Sequence, residues 1–156
     1  MKKFVLAAVA ATIAVPAAAA PDQATDQGTA SATIVAPISI THDTGAELSF
    51  GTIISPTANS TVTVTSGSAN VTSGDAVWLS GGSSDSFTVE GEDGRSFSIT
   101  TTGGTMGGMS FMTSAPASGT ISGASATFSV DGVLSIPANQ AAGDYTGSYD
   151  ATVTYL

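Results

Sequence analysis

Gly143-Asp144-Tyr145-Thr146-Gly147-Ser148-Tyr149-Asp150-Ala151-Thr152-Val153-Thr154-Tyr155-Leu156 closes the chain. Tyr145, Tyr149, Ala151, Val153 and Tyr155 share one parity; Thr146, Ser148, Asp150, Thr152 and Thr154 share the other. A period of two with one apolar side is the pattern of a half-buried strand. It predicts a last strand over 145–155. Ile136-Pro137 and Gly143 stand just upstream, and the combination reads as a Greek-key corner. A tyrosine just inside the last crossing strand can return its hydroxyl to nearby backbone, as in the tyrosine corner of sandwich folds. Tyr145 is expected to do so, with Gly143 giving the chain room to turn. With the strand running almost to Leu156, its outer edge is expected to lack a following partner.

Working outward, the same period recurs. Ala32, Ile34, Ala36, Ile38 and Ile40 alternate with polar neighbours, and Pro37 marks an edge or a bulge. Leu48 and Phe50, with Ile54, make a second strand interrupted by Gly51. Val62 and Val64 alternate with Thr61, Thr63 and Thr65, and Val77 and Leu79 flank Trp78. Phe87 and Val89 mirror Phe97 and Ile99 across Gly91-Glu92-Asp93-Gly94, which predicts a hairpin. Ala126, Phe128 and Val130 precede Asp131-Gly132, a second turn pair, and Leu134 and Ile136 follow. The expected core is Ile34, Ile38, Ile40, Leu48, Phe50, Val62, Val64, Phe87, Val89, Phe97, Ile99, Phe128, Val130, Leu134, Tyr149, Ala151 and Val153.

About 7–9 short strands at this spacing, with no βαβ alternation, predict an all-β fold. The expected form is an immunoglobulin-like antiparallel β-sandwich with Greek-key connections. Serine, threonine and glycine dominate after the first twenty residues, and no glycine precedes Gly28. That composition alone would also suit a flexible linker. The apolar alternation decides for a folded sheet.

Met1 to Lys3 is a short basic start, Phe4 to Val15 is apolar apart from Thr12, and Ala17 to Ala20 are small. That order reads as a secretory signal peptide. The run is short of the roughly 20 residues a membrane span needs. Cleavage after Ala19 is expected, which keeps Pro21 away from the cut. Residues 1–19 are then the signal, 20–29 a polar, mobile lead-in, and 30–156 a single sandwich domain. The exported chain carries one base, Arg95, against twelve acids. This excludes the basic footprint of a nucleic-acid binder and disfavours anionic lipid. With no cysteine there is no disulfide, thiolate nucleophile or lipoprotein anchor.

Three pieces resemble a known family: Pro37-Ile38-Ser39-Ile40, Leu48-Ser49-Phe50-Gly51-Thr52-Ile53, and Ala142-Gly143-Asp144-Tyr145-Thr146-Gly147 with Val153-Thr154-Tyr155. Their order and spacing look like the bacterial domain-of-unknown-function family 4402. The same pieces are similar to pilin subunits of chaperone–usher fimbriae, which often carry a disulfide that this chain cannot form. The resemblance covers about Ala30 to Leu156. It implies an exported immunoglobulin-like sandwich that serves as a surface-fibre subunit, and it brings no catalytic motif.

Three clusters carry candidate chemistry. Met106, Met109 and Met112 offer thioethers suited to Cu(I), but on a strand i and i+3 point to opposite faces, and methionines also fill core gaps. Asp85, Glu90, Glu92 and Asp93 offer oxygen ligands suited to calcium, or a solvated hairpin tip with Arg95 nearby. His42, the one histidine, stands between Thr41 and Asp43. No Gly-x-Ser-x-Gly elbow accompanies it, so it is expected to be an exposed residue of the turn after the first strand. No catalytic residue, cofactor or metal is assigned.

The chain is therefore expected to be an exported, non-enzymatic protein, a structural or adhesive subunit of a surface fibre. The alternative is a self-contained binding module for a small ligand or ion. The expected partners are further copies joined by strand addition, or an export chaperone. The Ala30–Ile40 strand is expected to fill the open edge of the last strand, in its own chain or a neighbour's, with Thr41 to Glu47 as the hinge.

Overall fold

A computed structural model describes residues 23–156. The expected signal peptide lies outside the described residues. Among those residues the chain forms twelve strands and no helix, and every strand pair is antiparallel. This is consistent with the expected β-sandwich. The strands exceed the expected number because three have only three residues each: β2 (Thr52–Ile54), β8 (Gly104–Met106) and β10 (Ser118–Thr120).

The spine is β11 (Ser125–Ile136), twelve residues long. Its first half pairs with β6 (Asp85–Glu90), which pairs in turn with β1 (Ser39–His42). Its second half lies between β3 (Ser60–Thr65) and β9 (Met109–Ser114). Beyond these stand β4 (Ser68–Ser73) and β8. A second sheet runs β10, β7 (Ser96–Thr101), β12 (Ala151–Tyr155). A separate ribbon joins β2 to β5 (Val77–Ser80).

Two apolar clusters hold these layers. Phe50, Val62, Val64, Met109, Phe111, Leu134 and Ile136 form one. Val89, Phe97, Ile99, Ile121, Phe128 and Val130 form the other. Tyr149 packs against both. The expected core is recovered with one exception. Ile34 is 94% exposed.

The first strand is shorter than its alternation suggested. Its last pairing is Ser39 with Glu90, where β6 ends. Residues upstream have no ladder to join, and Pro37 has no N–H to donate. The compact unit begins at Ile34. Nor does this strand lie beside the last one, since β1 pairs with β6 and β12 with β7.

Both turn readings are corrected. β6 and β7 do not pair with each other. Gly91 to Gly94 is an arch that carries the chain from one sheet to the other. One local bond, Arg95 N–H to the Glu92 carbonyl, and one distant bond, Gly94 N–H to the Ile121 carbonyl, satisfy the turn. Asp131-Gly132 is no turn, because β11 runs straight through it. Gly132 is there for close approach. A Cβ would stand 2.9 Å from a Leu48 methyl and 3.0 Å from the Phe50 ring. Asp131 accepts the Ser66 N–H and the Ser84 hydroxyl, tying β11 to the β3–β4 turn.

The last strand is confined to Ala151–Tyr155. β7 ends at Thr101, and the chain turns away into β8, so residues 145–149 join no ladder and Asp150 is tied only through Thr102. The side-chain phase still holds, with Tyr149, Ala151, Val153 and Tyr155 partly buried and the residues between them exposed. Tyr145 donates its hydroxyl to the Ala141 carbonyl at 2.7 Å, as expected of the corner. Nothing crowds Gly143 within 3.9 Å of a Cβ position, so the expected need for glycine there is not met.

Candidate functional site

A groove of about 810 Å³ runs along one side of the compact unit. One bank is the segment from Ala46 through β2 to Pro56. The other is the unpaired run 140–149. The floor is apolar, with Phe87, Met109, Phe111, Leu134 and Ile136. The second bank leads directly into β12.

The backbone of β12 is open on its outer side. Thr102 N–H bonds to the Asp150 carbonyl and Leu156 N–H to the Ser96 carbonyl. Backbone polar groups alternate in direction along a strand. Those of residues 152 and 154 therefore face β7, and those of Ala151, Val153 and Tyr155 face away. β12 ends its sheet, so these three residues present a row of unpaired donors and acceptors.

At the head of the groove lies a buried carboxylate. Asp85 is 4% exposed. Its Oδ1 is 2.7 Å from His42 Nε2 and accepts the Ser86 N–H at 2.8 Å. Its Oδ2 accepts the Tyr149 hydroxyl at 2.6 Å. One carboxylate thus fastens the end of β1, the start of β6 and the run before β12. Burial first, then the bond to Asp85 and its charge, push the Tyr149 phenol well above its ordinary value. Tyr149 is a fixed donor.

His42 is exposed, as expected, but it does not stand in the turn. It is the last residue of β1. Its ring meets Phe87 edge-on at 5.1 Å, and its polar partner is Asp85, not the adjacent Asp43. The signal for this was in the phase of β6. Asp85 shares the inward parity of Phe87 and Val89, and a carboxylate buried on a core face needs partners. The other candidate clusters are not assembled. Asp85 stands at the opposite end of β6 from Glu90, Glu92 accepts the Ala36 N–H and Asp93 the Gly123 N–H. Met109 is buried and Met106 pairs across from it, while Met112 is 72% exposed on the other face of β9. Among the described residues no group of three His, Asp or Glu side chains is placed to hold a metal. No helix there is long and apolar enough to cross a membrane.

Two surface carboxylates are held below the ordinary aspartate value. The Ser86 and Thr88 hydroxyls do this for Asp43. The Thr57 hydroxyl, then the Ala58 N–H, do it for Asp75. A depressed folded pKa contributes stability that is fully present above the unfolded value and lost as pH falls through the folded one. Urea midpoints should therefore be level between about pH 5 and neutrality and decline below about pH 4. Asp43→Asn with Asp75→Asn should flatten that decline. An equally steep acid limb in the double variant would assign it to other groups.

The Asp43 bonds also remove the expected hinge. Asp43 N–H bonds to the Ser86 carbonyl, and its carboxylate takes two hydroxyls. With His42 on Asp85, the start of the Thr41–Glu47 segment is fastened to β6 by backbone and side-chain bonds.

The model of a family described as a domain of unknown function, DUF4402, matches residues 38–155. No curated protein and no solved structure matches the chain.

Proposed function

The chain belongs to the DUF4402 family, and from that premise and the open strand edge we propose that it is an exported, non-enzymatic structural or adhesive subunit of a surface fibre, joined to its neighbours by strand addition. The unpaired outer edge of β12, continuous with the groove bank at 140–149, carries this reading. An extended segment laid there would satisfy the backbone groups of Ala151, Val153 and Tyr155. Continued along 140–149, it would also set alternate side chains on the apolar floor, which is how added strands gain both affinity and specificity. The basic, apolar and small-residue order of the first twenty residues supports export. The bonds around Asp85 suit fastening, since both its oxygens are occupied and Tyr149 holds its proton.

The groove volume favours a second reading. Small-molecule clefts run from about 300 to 1,000 Å³ and are mostly apolar, so a ligand-binding module would use the same floor. One experiment separates the two. The exported protein is concentrated, sized and imaged by electron microscopy, and a synthetic peptide of residues 28–38 is added to the monomer while amide exchange is followed. Fibres or ladders of oligomers, with peptide-induced protection at Ala151, Val153 and Tyr155, are expected. A protein that stays monomeric, with those amides untouched by the peptide, would overturn strand addition.

A further inference from the structure

Ala36 is held by both of its backbone groups. Its N–H donates to Glu92 Oε2 at 3.2 Å, and its carbonyl accepts the Tyr155 hydroxyl at 3.1 Å. The same hydroxyl accepts the Glu92 N–H at 2.7 Å. These partners are distant in sequence. Glu92 sits in the arch between the sheets and Tyr155 at the end of β12. The seat is closely fitted, because a Cβ on Gly91 would come 2.2 Å from the Tyr155 oxygen and 2.9 Å from Ile121. Arg95 lies over the Tyr155 ring at 6.0 Å.

Among the described residues upstream, the bond present is local, from the Gln27 N–H to Asp26 Oδ1. Residues 23–34 are exposed throughout, Ile34 almost completely. On the other side of Ala36, the four-residue β1 is fastened again at its far end through His42 and Asp43. A strand this short at a sheet edge would be displaced readily by ladder bonds alone. Side-chain bonds at both ends keep it in place.

We infer that Tyr155, Glu92 and Ala36 form a clasp that divides the chain into a transferable arm ending at Val35 and a body that retains its own β1. The arm's partner is a second copy of this chain, and that use of the arm rests on the strand-addition reading above. The clasp itself is a property of the monomer. It makes β6 unavailable for exchange while leaving the outer edge of β12 open. Without it, loosening at Ala36 would run on into Ser39–His42, and two copies would trade β1 strands and close into a dimer, as domain swapping does.

The test is residue-resolved amide exchange on the monomeric protein, with Tyr155→Phe and Glu92→Ala beside it. In the unaltered protein the Ala36 amide should be protected with those of β1, and amides 24–34 should exchange freely. Each variant should speed exchange at Ala36 and through β1 by about fivefold or more, the worth of one or two hydrogen bonds. Amides of β7 and β11 should stay unchanged, which confirms that the variants are folded. Sizing of concentrated Tyr155→Phe should then show a closed dimer as the end point, where the unaltered protein goes on to larger oligomers or stays monomeric. Three results would overturn the clasp: an Ala36 amide as labile as the arm, variants with unaltered β1 protection, or a uniform rise in exchange across the domain. Exchange is read on single molecules, so absence of fibres would strike the strand-addition reading and leave the clasp standing.

Discussion

Phe128→Ala should lower the unfolding free energy by about 3–5 kcal/mol. The ring is 6% exposed and stacks on Phe87 at 5.5 Å with 15° between planes. Phe87 in turn meets His42 and Tyr149. Val89, Val130, Phe97 and Ile121 complete the surroundings. Phe87, Val89, Phe97 and Val130 stand on paired strands, which limits how far the cavity can collapse, and residual cavity volume is what sets the cost within a residue type. A domain of this size has about 5–15 kcal/mol in total, so the variant should lose a large share of it. Phe50→Ala tests the other cluster, where Phe50 is 6% exposed and lies 6.2 Å from Phe111. A change under about 1 kcal/mol at both positions in urea titrations would refute the assigned strand phase.

Asp85→Ala is expected to cost a similar amount, about 3–5 kcal/mol, because removing one member of a buried bonded set leaves the others stranded. The Tyr149 hydroxyl, His42 Nε2 and the Ser86 N–H would all lose their acceptor. Tyr149→Phe removes one bond without stranding a charge on a partner that keeps its other bonds, and should cost only about 1–2 kcal/mol. The ordering separates a fastening carboxylate from an incidental one. If Asp85→Ala is no worse than Tyr149→Phe by chemical denaturation, the three bonds do not act as a unit.

The parts of the molecule legible in the sequence are those fixed by near neighbours. Tyr149, Ala151, Val153 and Tyr155 keep the inward phase their spacing implies. Tyr145 makes the corner bond because its acceptor, Ala141, is four residues away. What failed depends on distant partners. The alternation through Ile34 is as regular as any other, yet a strand needs a neighbour, and β6 ends opposite Ser39. Asp93-Gly94 looks the same in a hairpin and in an arch, since both reverse the chain, and Asp131-Gly132 shows that the dipeptide need not turn at all. The groove was not legible either. Its banks are 46–56 and 140–149, and no local pattern says that two irregular segments will stand apart over a shared floor. Asp85 was the exception. Its place on the inward parity of β6 marks a buried acid, whereas its nearness in sequence to Glu90, Glu92 and Asp93 suggests a ligand cluster.

The position of β11 near the end of the chain has a consequence for how the molecule comes into being. β3, β6 and β9 all take their central ladder from this one strand, and both apolar clusters include its residues. A chain made from its N-terminus presents those three strands long before the one that joins them. Until Ser125–Ile136 arrives, only local pairs such as β3 with β4 or β8 with β9 can form, and Phe87, Val89 and Phe111 face water. Pairing of this range is slow to nucleate and leaves strand edges exposed in the meantime. A nascent chain therefore stays a collection of sticky hairpins until that strand is made. The exposed apolar edges are covered in a single late step, when the spine docks.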